Sequence, residues 1–236
     1  MPQERDEDRY VLKPKCLPTY LVVDASESMV PHQDTLNQTL AHVHESIRDH
    51  PRVSEFAHVS LIVFSTEPHL VIEMANLEDV PVMPEVRCSG ITNYGAVFDL
   101  LRQRIDIDVD ELNGLGMAVL RPVVFLLTDG LPSDQYWESS FARLADHQWK
   151  RHPHVITYGF GQADQMVLSK VTTVVGFIAQ PGTDHRSALV EALGSMLSSL
   201  VASSERGRVV FNKSVPGYRP VEPDQDLLSV PREYLE

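Results

Sequence analysis

Short apolar runs and longer amphipathic stretches alternate along this chain, and that alternation sets the elements it can form. Residues 19–23 are apolar or β-branched and carry no charge, as a parallel strand buried on both faces requires; the run ends at a carboxylate, Asp24. A helix is expected from about Pro31, because Leu36, Leu40, Val43 and Ile47 recur at spacings of 4, 3 and 4 and share one face. Residues 56–65 read as the next strand, and residues 69–74 as a shorter one paired with it in a hairpin. A polar, turn-rich loop over residues 84–94 leads into a helix carrying Val97, Leu100, Leu101 and Ile105, and residues 106–116 read as an acidic connection. The clearest buried strand is 123–127, which runs into Thr128, Asp129 and Gly130. A helix over 136–148 with Trp137, Phe141 and Leu144 on one side, a strand over 155–160, a short helix, a strand over 176–179 and a final helix marked by Leu189, Leu193, Met196, Leu197 and Leu200 complete the pattern.

Strands alternating with helices predict an α/β fold: a doubly wound, mainly parallel central sheet flanked by helices. Residues 1–16 read as a charged N-terminal arm and 17–204 as one domain. Residues 205–236 read as a Pro-containing tail, partly ordered, in which Val209, Val210 and Phe211 form a strand or dock on the body, since Pro216, Pro220, Pro223 and Pro231 forbid long helices.

Composition narrows the function classes. With 43% apolar residues, a chain of 236 residues can bury a sizeable core. The net charge of −13 repels phosphate backbones and anionic lipid, which argues against nucleic acid and membrane surfaces as partners. The first eight residues are charged and lack the apolar core of a secretory signal, and no apolar stretch reads as long enough to span a bilayer, so a cytoplasmic location is expected. Cys16 and Cys88 match no metal-ligand spacing and read as two reduced thiols. Of the ten histidines, His42 and His44 face different ways on a helix, His152 and His154 flank a proline, and no His-Glu-x-x-His run occurs; all ten are expected to be structural or at the surface.

The chemistry lies in two strands that end in aspartate. In an open α/β sheet, ligands bind beyond the carboxyl ends of the strands where the winding reverses. With the strand order 3-2-1-4-5-6, Asp24 and Asp129 would sit on neighbouring strands at that point. Asp24 opens the run Asp24, Ala25, Ser26, Glu27, Ser28, whose alternation turns three oxygen-bearing side chains towards one centre. Thr92, just before a helix, adds another hydroxyl. Hard cations such as Mg²⁺ take oxygen ligands at roughly 2.0–2.1 Å in an octahedron. Glu27, Met29 and Tyr94 would lie on the rim. Singly, each of these residues also has an ordinary role: Asp24 and Ser28 as helix caps, Asp129 as a turn residue, Thr92 as an N-cap.

Taken together, Asp24-x-Ser26-x-Ser28, Thr92-x-x-Gly95-Ala96 and Thr128-Asp129-Gly130 resemble the metal-ion-dependent adhesion site of von Willebrand factor A domains, over about residues 18–202. Ile91 stands where many members of that family have glycine. The resemblance implies that Ser26, Ser28 and Thr92 bind Mg²⁺ (or Mn²⁺ or Ca²⁺) directly, that Asp24 and Asp129 act mostly through waters and hydrogen bonds, and that an Asp or Glu of a protein partner fills the remaining coordination position. It implies a non-catalytic interaction module. The short form also resembles bacterial von Willebrand A proteins linked to tellurium resistance, stress responses, kinases and phosphatases. Two alternatives stand beside this. One is a metal-assisted phosphatase of haloacid dehalogenase type, although Ser26 occupies the place of that family's second aspartate. The other is a metal-free scaffold. Neither an oligomeric state nor a particular partner can be read from these residues.

Overall fold

The structure, a computed structural model, describes residues 13–224. Most of the expected arm and the last twelve residues of the expected tail lie outside the described residues. Eight strands form one sheet: β1 (Lys15–Asp24), β2 (Ala57–Phe64), β3 (Pro68–Asn76), β4 (Ala118–Val119), β5 (Val123–Thr128), β6 (His154–Gly159), β7 (Val175–Ala179) and β8 (Tyr218–Val221). Their order is β3-β2-β1-β5-β6-β7-β8, with the short β4 paired to the start of β1. β1, β2, β5, β6 and β7 are parallel; β3 and β8 are antiparallel edges.

Alternating side chains of each central strand feed two separate cores. Leu21, Val23, Leu61, Val63, Phe125 and Leu127 point to one face, covered by α1 (Gln33–Arg48), α2 (Pro51–Phe56) and α6 (His185–Arg206). Tyr20, Val22, Ile62, Phe64, Val124 and Leu126 point to the other, covered by α3 (Tyr94–Gly114), α4 (Trp137–Leu144) and α5 (Gln165–Lys170). The expected stripe of α1 is buried as read: Leu36, Leu40, Val43 and Ile47 all face the core.

Several elements differ from the sequence reading. α2 was not expected; Pro51 occupies its first turn, where a missing N–H costs nothing. α3 does not stop at Ile105 but continues to Gly114, through the stretch read as a connection. Ile105, Val109 and Leu112 prolong its apolar stripe, and the acidic Asp108 turns inward. Asp108 accepts a hydrogen bond from the Tyr20 hydroxyl at 2.8 Å and pairs with Arg104. α4 ends at Leu144, four residues before the expected stop.

α6 corrects another expectation. It is 22 residues long and apolar enough, by length and composition, to cross a bilayer. Half of its most apolar window is buried, with Ala188, Leu189, Ala192, Leu193, Met196 and Leu200 in the core. Its buried serines fix the path of the chain that follows. Ser203 Oγ bonds to the backbone of Val210 in both directions, at 3.1 and 2.9 Å, and Asn212 Nδ2 donates to the Ser195 carbonyl at 3.1 Å. Residues 209–211 therefore dock on α6 without forming a strand. Further on, Tyr218–Val221 forms β8 against β7.

Candidate metal centre

The winding reverses between β1 and β5, which are parallel neighbours with Val23 opposite Leu127. Asp24 ends one strand and Asp129 follows the other, so both carboxylates emerge at the carboxyl edge of the sheet.

Ala25 and Met29 are buried and anchor the loop after β1 from below; Glu27 and Ser28 between them face solvent. The Ser26 and Ser28 hydroxyls lie 3.0 Å apart, and Ser28 Oγ donates to Asp129 Oδ1 at 2.7 Å. Ligands in adjacent positions of an octahedron with roughly 2.0–2.1 Å bonds are about 2.9 Å apart, so these oxygens already have the spacing a hard cation requires. Thr92 approaches from the third loop: a β-carbon built on Gly130 would lie 3.5 Å from Thr92 Oγ1. Ser26, Thr92 and Asp129 are nearly closed off from solvent, whereas Ser28 is exposed and marks the mouth. The donors are chiefly hydroxyls; among the described residues no group of three or more His, Cys, Asp or Glu side chains is arranged to hold a metal ion.

Asp24 stands behind this group. It is fully buried; Oδ1 accepts from the Ser26 N–H at 2.9 Å and Oδ2 from Thr128 Oγ1 at 2.7 Å. Burial pushes its carboxyl up to about 6 against those hydrogen bonds, and Asp129 adds to the rise. Burial likewise raises Asp129, opposed by the Ser28 hydrogen bond and by His185 and His32. Two buried acids so close together match a cation's charge, and with the hydroxyl spacing this is how the residues present fit a divalent ion.

Backbone bonds hold the three loops in register. Ser89 N donates to the Ala25 carbonyl at 2.7 Å, Glu27 N to that of Gly90 at 2.9 Å, and Ser133 N to that of Thr92 at 2.8 Å. Gly90 has φ of +81°, and any side chain there would collide with the Thr66 hydroxyl, so the left-handed turn sits at Gly90 and leaves Ile91 outside.

Two expected rim residues are core residues instead. Met29 and Tyr94 are both fully buried. The Tyr94 ring packs against Phe64, Phe98 and Trp137, and its hydroxyl donates to Thr128 Oγ1 at 3.0 Å. Tyr94, Thr128 and Asp24 thus form a buried relay beneath the site, which the aromatic and threonine identities alone could not reveal. Asp134 was also missed: its Oδ1 accepts from the first N–H of α3, Tyr94 N, at 2.9 Å. The N-cap of α3 is Asn93, whose side chain accepts from Ala96 N, so Thr92 is free of that role. Neither Asp24 nor Ser28 caps a helix. His32 and His185, expected like the other histidines to be structural or at the surface, stack their rings at 4.2 Å on the flank of Asp129. Gly161, at φ +61°, leaves the room for His185, because a β-carbon there would lie 2.8 Å from its Nε2.

The relay supports a prediction. Thr128→Val keeps the shape but removes the hydroxyl that donates to Asp24 and accepts from Tyr94. Leaving a buried carboxylate and a buried phenol short of partners should cost about 2–4 kcal/mol in denaturant unfolding. Tyr94→Phe should cost only about 1 kcal/mol. Equal losses for both would mean that the threonine is not the hub.

By sequence, no protein-family model and no curated protein matches the chain. By structure, it is similar to proximal thread matrix protein 1 of the mussel byssus, with a TM-score of 0.57 at 18% identity over 80% of this chain and 49% of that one. A second form of that protein has a zinc-occupied MIDAS motif, a metal-ion-dependent adhesion site. It is similar to a von Willebrand factor type A protein from Catenulispora acidiphila, with a TM-score of 0.56 at 13% identity over 79% of this chain and 43% of that one. It is also similar to the pilus adhesin SpaC from Lactobacillus rhamnosus GG, with a TM-score of 0.58 at 15% identity over 80% of this chain and 31% of that one. The chain spans about half the length of the first of these and less of the others. Its fold is the mixed α/β architecture of these neighbours, the von Willebrand factor type A protein among them: a central sheet flanked by helices.

Proposed function

We propose that the chain is a non-catalytic interaction module in which Ser26, Ser28 and Thr92 hold a divalent cation, Mg²⁺ in the first instance, for binding to a carboxylate of a protein partner. The observation that carries this is the bonded series Ser26–Ser28–Asp129, drawn from two strand ends, with Thr92 beside it and Ser28 open to solvent. The cation, when bound, supplies a positive charge with a coordination position for an Asp or Glu oxygen. The chain's own residues do the rest: the hydroxyls offer neutral oxygens directly to the ion, Asp24 and Asp129 lie behind them, and Asp24 orients Ser26 through its backbone N–H. The zinc-occupied motif of the byssus protein and the adhesin among the neighbours support the same reading.

The phosphatase alternative is weakened by Asp24 itself. A nucleophilic carboxylate must reach its substrate, and Asp24 is fully buried with both oxygens engaged. A place in a bacterial cytoplasmic stress or tellurium-resistance system rests on the sequence resemblance, and is proposed on that footing.

The test is capture of partners by the immobilised chain in Mg²⁺, with release by EDTA. Proteins released by chelator from the native chain, and missing from the Asp129→Ala variant, are the expected result. Capture that EDTA leaves unchanged would favour the metal-free scaffold.

A further inference from the structure

Large apolar side chains are exposed at the same edge as the hydroxyls. Val30, Ile91 and Leu131 are each about half exposed, and Tyr136 is 76% exposed. Each lies on a loop that builds the metal centre. Val30 is two residues beyond Ser28, Ile91 immediately precedes Thr92, Leu131 is two residues beyond Asp129, and Tyr136 is two residues beyond Asp134. The bonds Glu27 N to Gly90 O, Ser133 N to Thr92 O and Tyr94 N to Asp134 Oδ1 tie these loops together within one to three residues of those side chains. Their neighbours Met29, Thr92 and Asp129 are buried, so these loops sort side chains inward and outward. All three loops present an apolar residue outward within two residues of a residue of the candidate site.

Charge restricts what can cover them. The whole chain carries −13, and Glu27 is exposed on the first site loop. An acidic tract would be repelled from this edge, whereas a single carboxylate is offset by the cation.

We infer that the partner docks through one Asp or Glu flanked, within about two residues, by apolar side chains that cover Val30, Ile91, Leu131 and Tyr136, in a segment otherwise neutral or basic. This rests on the metal-centre reading and adds the partner's chemistry to it. An exposed aromatic on the same group of loops as exposed aliphatic side chains offers the kind of anchor on which binding energy concentrates, with the carboxylate fixing register.

The experiment is selection of a random displayed-peptide library on the full chain in Mg²⁺, with elution by EDTA. The expected pool shares one acidic residue with an apolar neighbour and excludes acidic runs. A synthetic peptide from that pool should bind the Ile91→Ser, Leu131→Ser, Tyr136→Ser variant at least about tenfold more weakly. The variant should keep its Mg²⁺-dependent thermal stabilisation, because none of the three side chains is among those proposed to hold the ion. A pool enriched in Asp or Glu without apolar neighbours, or full-strength binding to the variant, overturns this inference and leaves the metal centre standing. A pool lacking Asp and Glu, or no EDTA-released peptides at all, overturns both.

Discussion

Replacing Ser26 and Ser28 together by alanine should abolish stabilisation of the protein by Mg²⁺. A ligand that binds only the folded state, present at 100 times its Kd, raises stability by about 2.7 kcal/mol. The native chain should show a gain of that order as Mg²⁺ is titrated in, and the double variant should show none. In the absence of metal, the double substitution removes the hydrogen bonds between Ser26, Ser28 and Asp129 and leaves the nearly enclosed Asp129 carboxylate short of a donor, so it should cost about 1–3 kcal/mol. The contrast separates loss of a ligand set from loss of the fold. Thermal and denaturant unfolding with and without Mg²⁺ measure both. An equal Mg²⁺ gain in the variant would show that the hydroxyls do not hold the ion.

The second large effect lies away from the candidate metal centre. A chain ending at Glu205 lacks β8 and the segment docked on α6. It loses the buried side chains Val215, Tyr218 and Val221, and the hydrogen bond from the Tyr218 hydroxyl to the Ala188 carbonyl at 2.9 Å. At roughly 1.5–3 kcal/mol for each large buried side chain, the loss should be on the order of 5 kcal/mol. That is comparable with the whole stability of a typical domain. The truncated chain should unfold at much lower denaturant concentration. None of Asp24, Ser26, Ser28, Thr92 and Asp129 lies on β7 or β8, so Mg²⁺ should still stabilise whatever fraction remains folded. An unchanged midpoint would mean that β8 contributes nothing to the body.

How much of this was legible in the residues follows from the physics of each element. The parallel strands announce themselves because burial on both faces demands uninterrupted apolar runs, as in Val123–Thr128. The placement of Asp24 beside Asp129 was readable for the same reason, since strand ends and switch-point topology together leave few arrangements. β8 was not readable. Its sequence is Tyr-Arg-Pro-Val, and proline is tolerated there only because the strand is an edge. α3 outran its expected end because Asp108 reads as solvent-facing, while in the fold its partners are Tyr20, 88 residues away, and Arg104. The bond to Tyr20 leaves no local trace in the sequence. The same holds for Tyr94. A tyrosine beside a polar loop suggests a rim, and only the packing of Phe64, Phe98 and Trp137 around it makes it core. The residues of the candidate site were visible, but their supporting contacts were not: the bond from Thr128 to Asp24, Asp134 at the start of α3, and the stacked His32 and His185 beside Asp129.

The most direct measurement is a crystal of the full chain grown with Mn²⁺, with anomalous scattering recorded at the manganese edge. The account predicts one strong peak between the loops after β1 and β5, within coordination distance of Ser26 Oγ, Ser28 Oγ and Thr92 Oγ1. Well-ordered loops with no peak there, or a peak held by other side chains, would contradict it.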